Sequence, residues 1–246
     1  VGACLYRCKA DRSFCMGRLT GLENAGASAQ SADRVTIARM FHESHTFNFV
    51  TMELRKARSI LIEKGRLIQP FVETLGIVGS VRRQKQEVHD VELCCVPKLV
   101  NVPKIDLFDT TPNYVVHPEF ICTVNSLGKV IKGKPTGRMM QIDLPEGIKL
   151  DLFMPQRLDY WRMFAIRTGS SDYSRYTIAA AWLRMGWCGT DEGLRLQSEC
   201  FNNGKDGKND WACTLKNPTL PPVWESEEAF FNWINVPYLP PYLRKI

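Results

Sequence analysis

An α+β fold beginning near Met52 is what the sequence predicts, and three observations carry that expectation. Leu54, Ala57, Arg58, Ile60, Leu61, Leu67 and Ile68 recur at helical spacing, and Phe71–Val78 then reads as a strand. Val88–Val96 alternates apolar and polar residues, as do Met139–Leu144 and Ile148–Met154, which Pro145-Glu146-Gly147 joins in a hairpin signal. Helical patterns return late in the chain, mixed with short strand signals and without a regular strand–helix alternation. The 44% hydrophobic and 24% charged content is that of an ordinary globular chain. No apolar run reaches the roughly 18 residues of a membrane span, so no membrane role is expected. A net charge of +6 permits a polyanionic partner without demanding one.

Residues 1–51 read as a poorly structured N-terminal extension, with the small-residue tract Ala25–Ala29 and little apolar periodicity before Val35–Phe41. His42 and His45, with Glu43 between them, lack the i, i+4 spacing of a helical zinc site. The nine cysteines are odd in number and contain no C-x-x-C pair, so reduced thiols in a cytoplasmic setting are expected. From Met52 a basic amphipathic helix runs to Gln69, where Pro70 forbids simple continuation, and Gly65 weakens its middle. The strand Phe71–Val78 ends at Gly79-Ser80, which begins a short helix carrying Arg82, Arg83 and Lys85. A strand, a Gly-Ser turn and a basic helix place N–H groups where an anion can sit.

The next strand holds Asp90 and Glu92 two residues apart, hence on one face, with Val91, Leu93 and Cys95 on the other. Two acids side by side on an apolar strand are costly unless a cation lies between them or water reaches both. A divalent metal and an edge strand with solvated acids both satisfy that condition. Pro97–Lys134 is proline-rich; Tyr114–Val116 and Phe120–Val124 fit either edge strands or helix, and Lys129–Lys134 reads as strand then turn. In Ile148–Met154, Lys149, Asp151 and Phe153 share a face, which brings a third strand-borne carboxylate. Arg167–Ser171 breaks the following apolar pattern, and Ser171 or Asp172 is expected to cap a helix from about Tyr173 to Met185 that ends at Gly186. Trp187–Pro222 predicts short strands and turns. Ser226 with Glu227 and Glu228 opens a short helix through Trp233, and Pro237, Pro240 and Pro241 close the chain in an extended tail.

Taken in order, Gly79-Ser80, Asp90-Val91-Glu92, Lys149-Leu150-Asp151, Arg167-Thr168-Gly169-Ser170 and the ending Asn235–Arg244 resemble the polymerase beta superfamily of nucleotidyltransferases. The similarity is to compact DNA polymerase X catalytic modules that lack the N-terminal lyase domain. The resemblance implies a palm-like mixed sheet with flanking helices over residues 52–157 and a small thumb-like α/β subdomain over 158–246. It implies two Mg²⁺ ions, replaceable by Mn²⁺, held by Asp90, Glu92 and Asp151. It further implies a nucleoside triphosphate gripped by Gly79, Ser80 and Arg83, with Arg82 a weaker candidate. Thr168, Gly169 and Ser170 would lie against its sugar and base, and Lys149 near the primer-end phosphate. The implied reaction adds dNMP to a DNA 3′-hydroxyl, on primer–template or gapped DNA, by a monomer. RNA, a small molecule or a protein as acceptor are alternatives, as is a degenerate nucleic-acid-binding module. Three residues depart from the family pattern: His89 where a Gly is usual, Glu92 where Asp is usual, and Ile166-Arg167 where an aromatic pair precedes Thr-Gly-Ser.

Overall fold

The computed structural model describes residues 51–102, 111–204 and 210–245, all within one compact unit, Asn48–Ile246. The expectation for residues 1–51 falls, but for Thr51, outside the described residues, as does part of the Trp187–Pro222 stretch. The fold is mixed α+β, with several sheets and flanking helices. Strand β1 (Met52–Glu53) leads into helix α1 (Leu54–Ile68), then β2 (Val72–Ile77), the short α2 (Gly79–Arg82), β3 (Glu87–Val88) and β4 (Asp90–Pro97). β5 (Leu99–Asn101) and β6 (Tyr114–Val116) form a separate antiparallel pair. Helix α3 (Pro118–Ser126) precedes β7 (Lys129–Gly133), β8 (Met139–Asp143) and β9 (Lys149–Phe153). Phe120–Val124 is therefore helical, with Pro118 at the first turn, where its missing N–H costs nothing.

The main sheet has the order β2-β4-β9-β8-β7. Its pairs are antiparallel except β4 with β9, which run parallel. β4 is thus an interior strand, so the acids do not lie on an edge. The edges are β2 and β7; the residues of β7 are all exposed, and its Lys129 and Lys132 discourage pairing with another chain. Val91, Leu93 and Cys95 of β4 pack with Leu150, Leu152, Met140 and Ile142 beneath Ala57, Ile60, Leu61 and Ile68 of α1 and Phe120 and Val124 of α3. Burying such side chains stabilises by about 1.5–3 kcal/mol each. Lys64 on α1 is buried and donates to Glu146 Oε1 at 2.5 Å, which ties the helix to the β8–β9 turn.

Helix α4 (Tyr160–Thr168) covers part of the opposite face, where Tyr160 and Phe164 bury Val78, Cys94, Val96 and Phe153. That close approach requires a glycine beneath it, because a Cβ at Gly76 would lie 2.4 Å from the Phe164 ring. A π-helical stretch (Tyr173–Ala179) continues into α5 (Ala180–Arg184), which stops at Gly186 with φ 81°. The cap is Ser170 rather than Ser171 or Asp172: its Oγ accepts from Tyr173 N at 3.2 Å. β10 (Trp187–Thr190), β11 (Gly193–Leu196), β12 (Cys200–Asn202) and β13 (Trp211–Cys213) form a second sheet, ordered β11-β10-β13-β12. Helix α6 (Glu227–Trp233) is capped by Ser226, whose Oγ accepts from Ala229 N at 3.0 Å, and the ending contains a 3-10 turn (Pro241–Leu243) rather than a purely extended tail. Among the described residues no helix is long and apolar enough to cross a membrane.

Candidate active site

The period of a strand and the register of one pair determine where the acids meet. Asp90 and Glu92 project from the same face of β4, and Glu92 pairs directly with Asp151 across the parallel β4–β9 ladder. In the same register Asp90 faces Lys149, which is exposed. Gln141 on β8 lies opposite Asp151 and donates Nε2–H to its Oδ1 at 2.7 Å. The three carboxylates thus share the part of the sheet face that α4 leaves open. Burial lifts the Glu92 carboxyl to about 7, with Asp90 and Asp151 adding to the effect and Arg83 and Arg167 opposing it. Asp151 is also raised, by burial first, while the Gln141 bond acts against that rise.

Gly79 has φ +66°, a conformation that favours glycine. The space a side chain would need is also taken, since a Cβ there would lie 1.2 Å from Glu92 Oε2. The Gly-Ser turn and the second acid are therefore fitted to one another. Ser80 Oγ is buried and has no hydrogen-bond partner. Ser80, Arg83, Asp90, Glu92, Arg167 and Gly169 all line one cavity of about 600 Å³, which Ser174, Arg175 and Trp182 also line. Arg83 donates from Nη1 to the carbonyls of Thr168 and Gly169, at 2.7 and 2.9 Å. These bonds fix its stem, and burial lowers its pKa below the usual guanidinium value.

Not every expected residue reaches the cavity. Arg82 forms a bidentate pair with Glu227 at 2.9 and 2.7 Å, bonds Thr168 Oγ1 at 2.5 Å and lies 4.1 Å over the Phe164 ring. Thr168 is fully buried and its hydroxyl accepts from Arg82, so it does not line the cavity. Ser170 is occupied as the helix cap. Of the Thr-Gly-Ser turn only Gly169 reaches the lining, because the other two side chains serve the junction between α2, α4 and the helix that follows. Arg244 is fully buried against the rings of Phe231 and Tyr238, and its Nη1 donates to Glu227 Oε1 at 2.6 Å.

Sequence reasoning missed Gln141, Ser174, Arg175 and Trp182 and gave Arg167 no role. Gln141 could have been found from the hairpin register, since two strands joined by Pro145-Glu146-Gly147 must bring positions 141 and 151 together. Ser174, Arg175 and Trp182 belong to a helical stretch read only for its caps. Among the described residues, no three His, Cys, Asp or Glu side chains converge tightly enough to hold a metal ion as they stand. Glu92 is seated against Gly79 and Asp151 is held by Gln141. Compared with known proteins, the chain matches no family model and no curated sequence.

Proposed function

We propose that the chain is a magnesium-dependent nucleotidyltransferase that adds a nucleoside monophosphate from a deoxynucleoside triphosphate to a DNA 3′-hydroxyl, releasing pyrophosphate. One observation carries this reading. Glu92 and Asp151 stand side by side across two parallel strands with Asp90 on the same face, and Asp90 and Glu92 line a cavity that also holds Arg83 and an unpartnered Ser80 hydroxyl. The donors fit a hard cation: all are carboxyl oxygens, gathered on one face of adjacent strands. Asp90, Glu92 and Asp151 would hold Mg²⁺, which when bound favours ionisation of the attacking hydroxyl and neutralises the triphosphate.

The chain's own groups supply the rest. The Ser80 hydroxyl can donate to a phosphate oxygen, which would satisfy the buried atom. Arg83 uses Nη1 for its two carbonyl bonds, and a guanidinium has five N–H groups, so it can keep that anchor while binding phosphate. Gly169 lines the same wall, and its carbonyl helps to anchor Arg83. Lys149 is exposed beside Asp90, where it can meet the acceptor's backbone phosphate. Phosphoryl transfer needs chiefly positioning and charge neutralisation, and this set of groups provides both.

The test is incorporation of labelled dNTPs and NTPs on primer–template DNA, gapped DNA and RNA, with Mg²⁺ present or chelated. Extension of a DNA primer, abolished by chelation and by Asp90→Ala or Asp151→Ala, is the expected result. Activity that survives both substitutions would end the metal assignment. Nucleotide transfer to RNA, or to a small molecule or protein, without any DNA extension would keep the chemistry and replace the acceptor.

A further inference from the structure

Arg167 is a cation that neither the acid cluster's architecture nor the phosphate grip accounts for. It lies in the last turn of α4 and lines the same cavity as Asp90 and Glu92. Its guanidinium sits 4.1 Å from the centre of the Phe153 ring. Phe153 follows Asp151 by two positions on β9, so ring and carboxylate project from one face, about 7 Å apart along the strand. A guanidinium is weakly hydrated and stacks readily on an aromatic face, so this site can keep a positive charge next to the acids without a full water shell. It acts on Glu92 and Asp151 through the field. Burial raises both carboxyls and the Arg167 charge opposes that rise without cancelling it, and among the described residues Arg167 makes no direct salt bridge. The position of Arg167 near a helix C-terminus adds a local reason for its charge but not for its lying over the sheet face.

We propose that Arg167 is the resident counter-cation of the acid face, competing with a divalent metal for Glu92 and Asp151 in the nucleotide-free protein. This rests on the metal-binding reading above. Arg167 is then a positioning residue that acts through the carboxylates. In its presence the bare site takes up metal weakly, and an incoming triphosphate, which offers the guanidinium another anion, lets metal and nucleotide load together.

The experiment uses the full chain and Mn²⁺ as the probe, with free ion counted by electron paramagnetic resonance in the absence of nucleotide. Arg167→Gln, which removes the charge, should bind Mn²⁺ about three- to tenfold more tightly than the wild type. Arg167→Lys, which keeps the charge, should stay within about twofold of it. Arg167→Met retains an apolar contact with Phe153 without charge and should behave like Arg167→Gln. It serves as the second variant if that one fails to fold by circular dichroism. If Mn²⁺ binds the wild type, is lost on Asp90→Asn, and binds the uncharged variants no more tightly, this proposal is overturned while the metal reading stands. If Mn²⁺ binds neither wild type nor variants, the metal reading itself fails and carries this proposal with it.

Discussion

A single methyl group at position 79 would collide with the second acid of the site. The Cβ of Gly79→Ala would lie 1.2 Å from Glu92 Oε2, on a backbone with φ +66° that side-chain-bearing residues seldom adopt. The substitution should cost about 1–3 kcal/mol in urea unfolding and reduce nucleotide incorporation more than tenfold, roughly the effect expected of displacing a site carboxylate. A variant with wild-type stability and activity would mean that Glu92 does not use this seat. Glu92 also makes a pH prediction. Burial holds its carboxyl protonated up to about 7 in the native chain, against 4.5 for the ordinary group. The native state therefore binds more protons than the unfolded one between those values, and stability of the metal-free protein falls as pH rises through them. Thermal melts at about pH 5 and pH 7.5 should differ less for Glu92→Gln than for the wild type. An unchanged difference would exclude Glu92 as the source.

Helices α2 and α6 carry residues 145 positions apart that meet in one ionic contact, Arg82 with Glu227, which Arg244 completes from the end of the chain. Burial alone would raise Glu227, but the bonds from Arg82 and Arg244 outweigh it and hold the carboxyl below its ordinary range. Its stabilising share is present above the unfolded value of 4.5 and is lost as pH falls through the lower folded value. Replacing Glu227 with Gln should cost about 3–5 kcal/mol, because the buried Arg244 and the half-buried Arg82 lose their shared charge partner. The acid limb of the stability–pH curve should also flatten. An unfolding midpoint like the wild type's would show that the tie is dispensable. At this scale the sequence was legible where a local rule applied. The period of two in β8 and β9, the Pro-Glu-Gly turn, Ser226 as a cap and Gly186 as a stop are all signals within a few residues of their effect. The diversion of Arg82 and Thr168 from phosphate and nucleotide to this contact was not legible. It depends on which distant carboxylate faces them, and no local pattern encodes that.

For the molecule as a whole, charge is spread thinly: Met52–Ile246 has 26 Lys and Arg against 22 Asp and Glu. If DNA is the acceptor, its grip should be weak and largely electrostatic. Raising salt from about 50 to about 200 mM should lower the binding of a labelled gapped duplex by at least about tenfold in fluorescence anisotropy. Salt-insensitive binding would point to contacts other than phosphate. The face on which the acids gather was readable in the sequence, since i and i+2 on a strand allow no other arrangement. That β4 is interior was not, because strand order is set by which apolar faces pack under α1 and α3. The parallel pairing of β4 with β9 carries a temporal consequence. Glu92 and Asp151 become neighbours only through a crossover some sixty residues long, whose closure must be achieved before the two strands can bond. The antiparallel β8–β9 hairpin can form early from local contacts, whereas the paired acids are a late product of folding. During synthesis the chain can hold no such acid pair until β9 has left the ribosome, so the paired acids arrive all at once rather than by degrees.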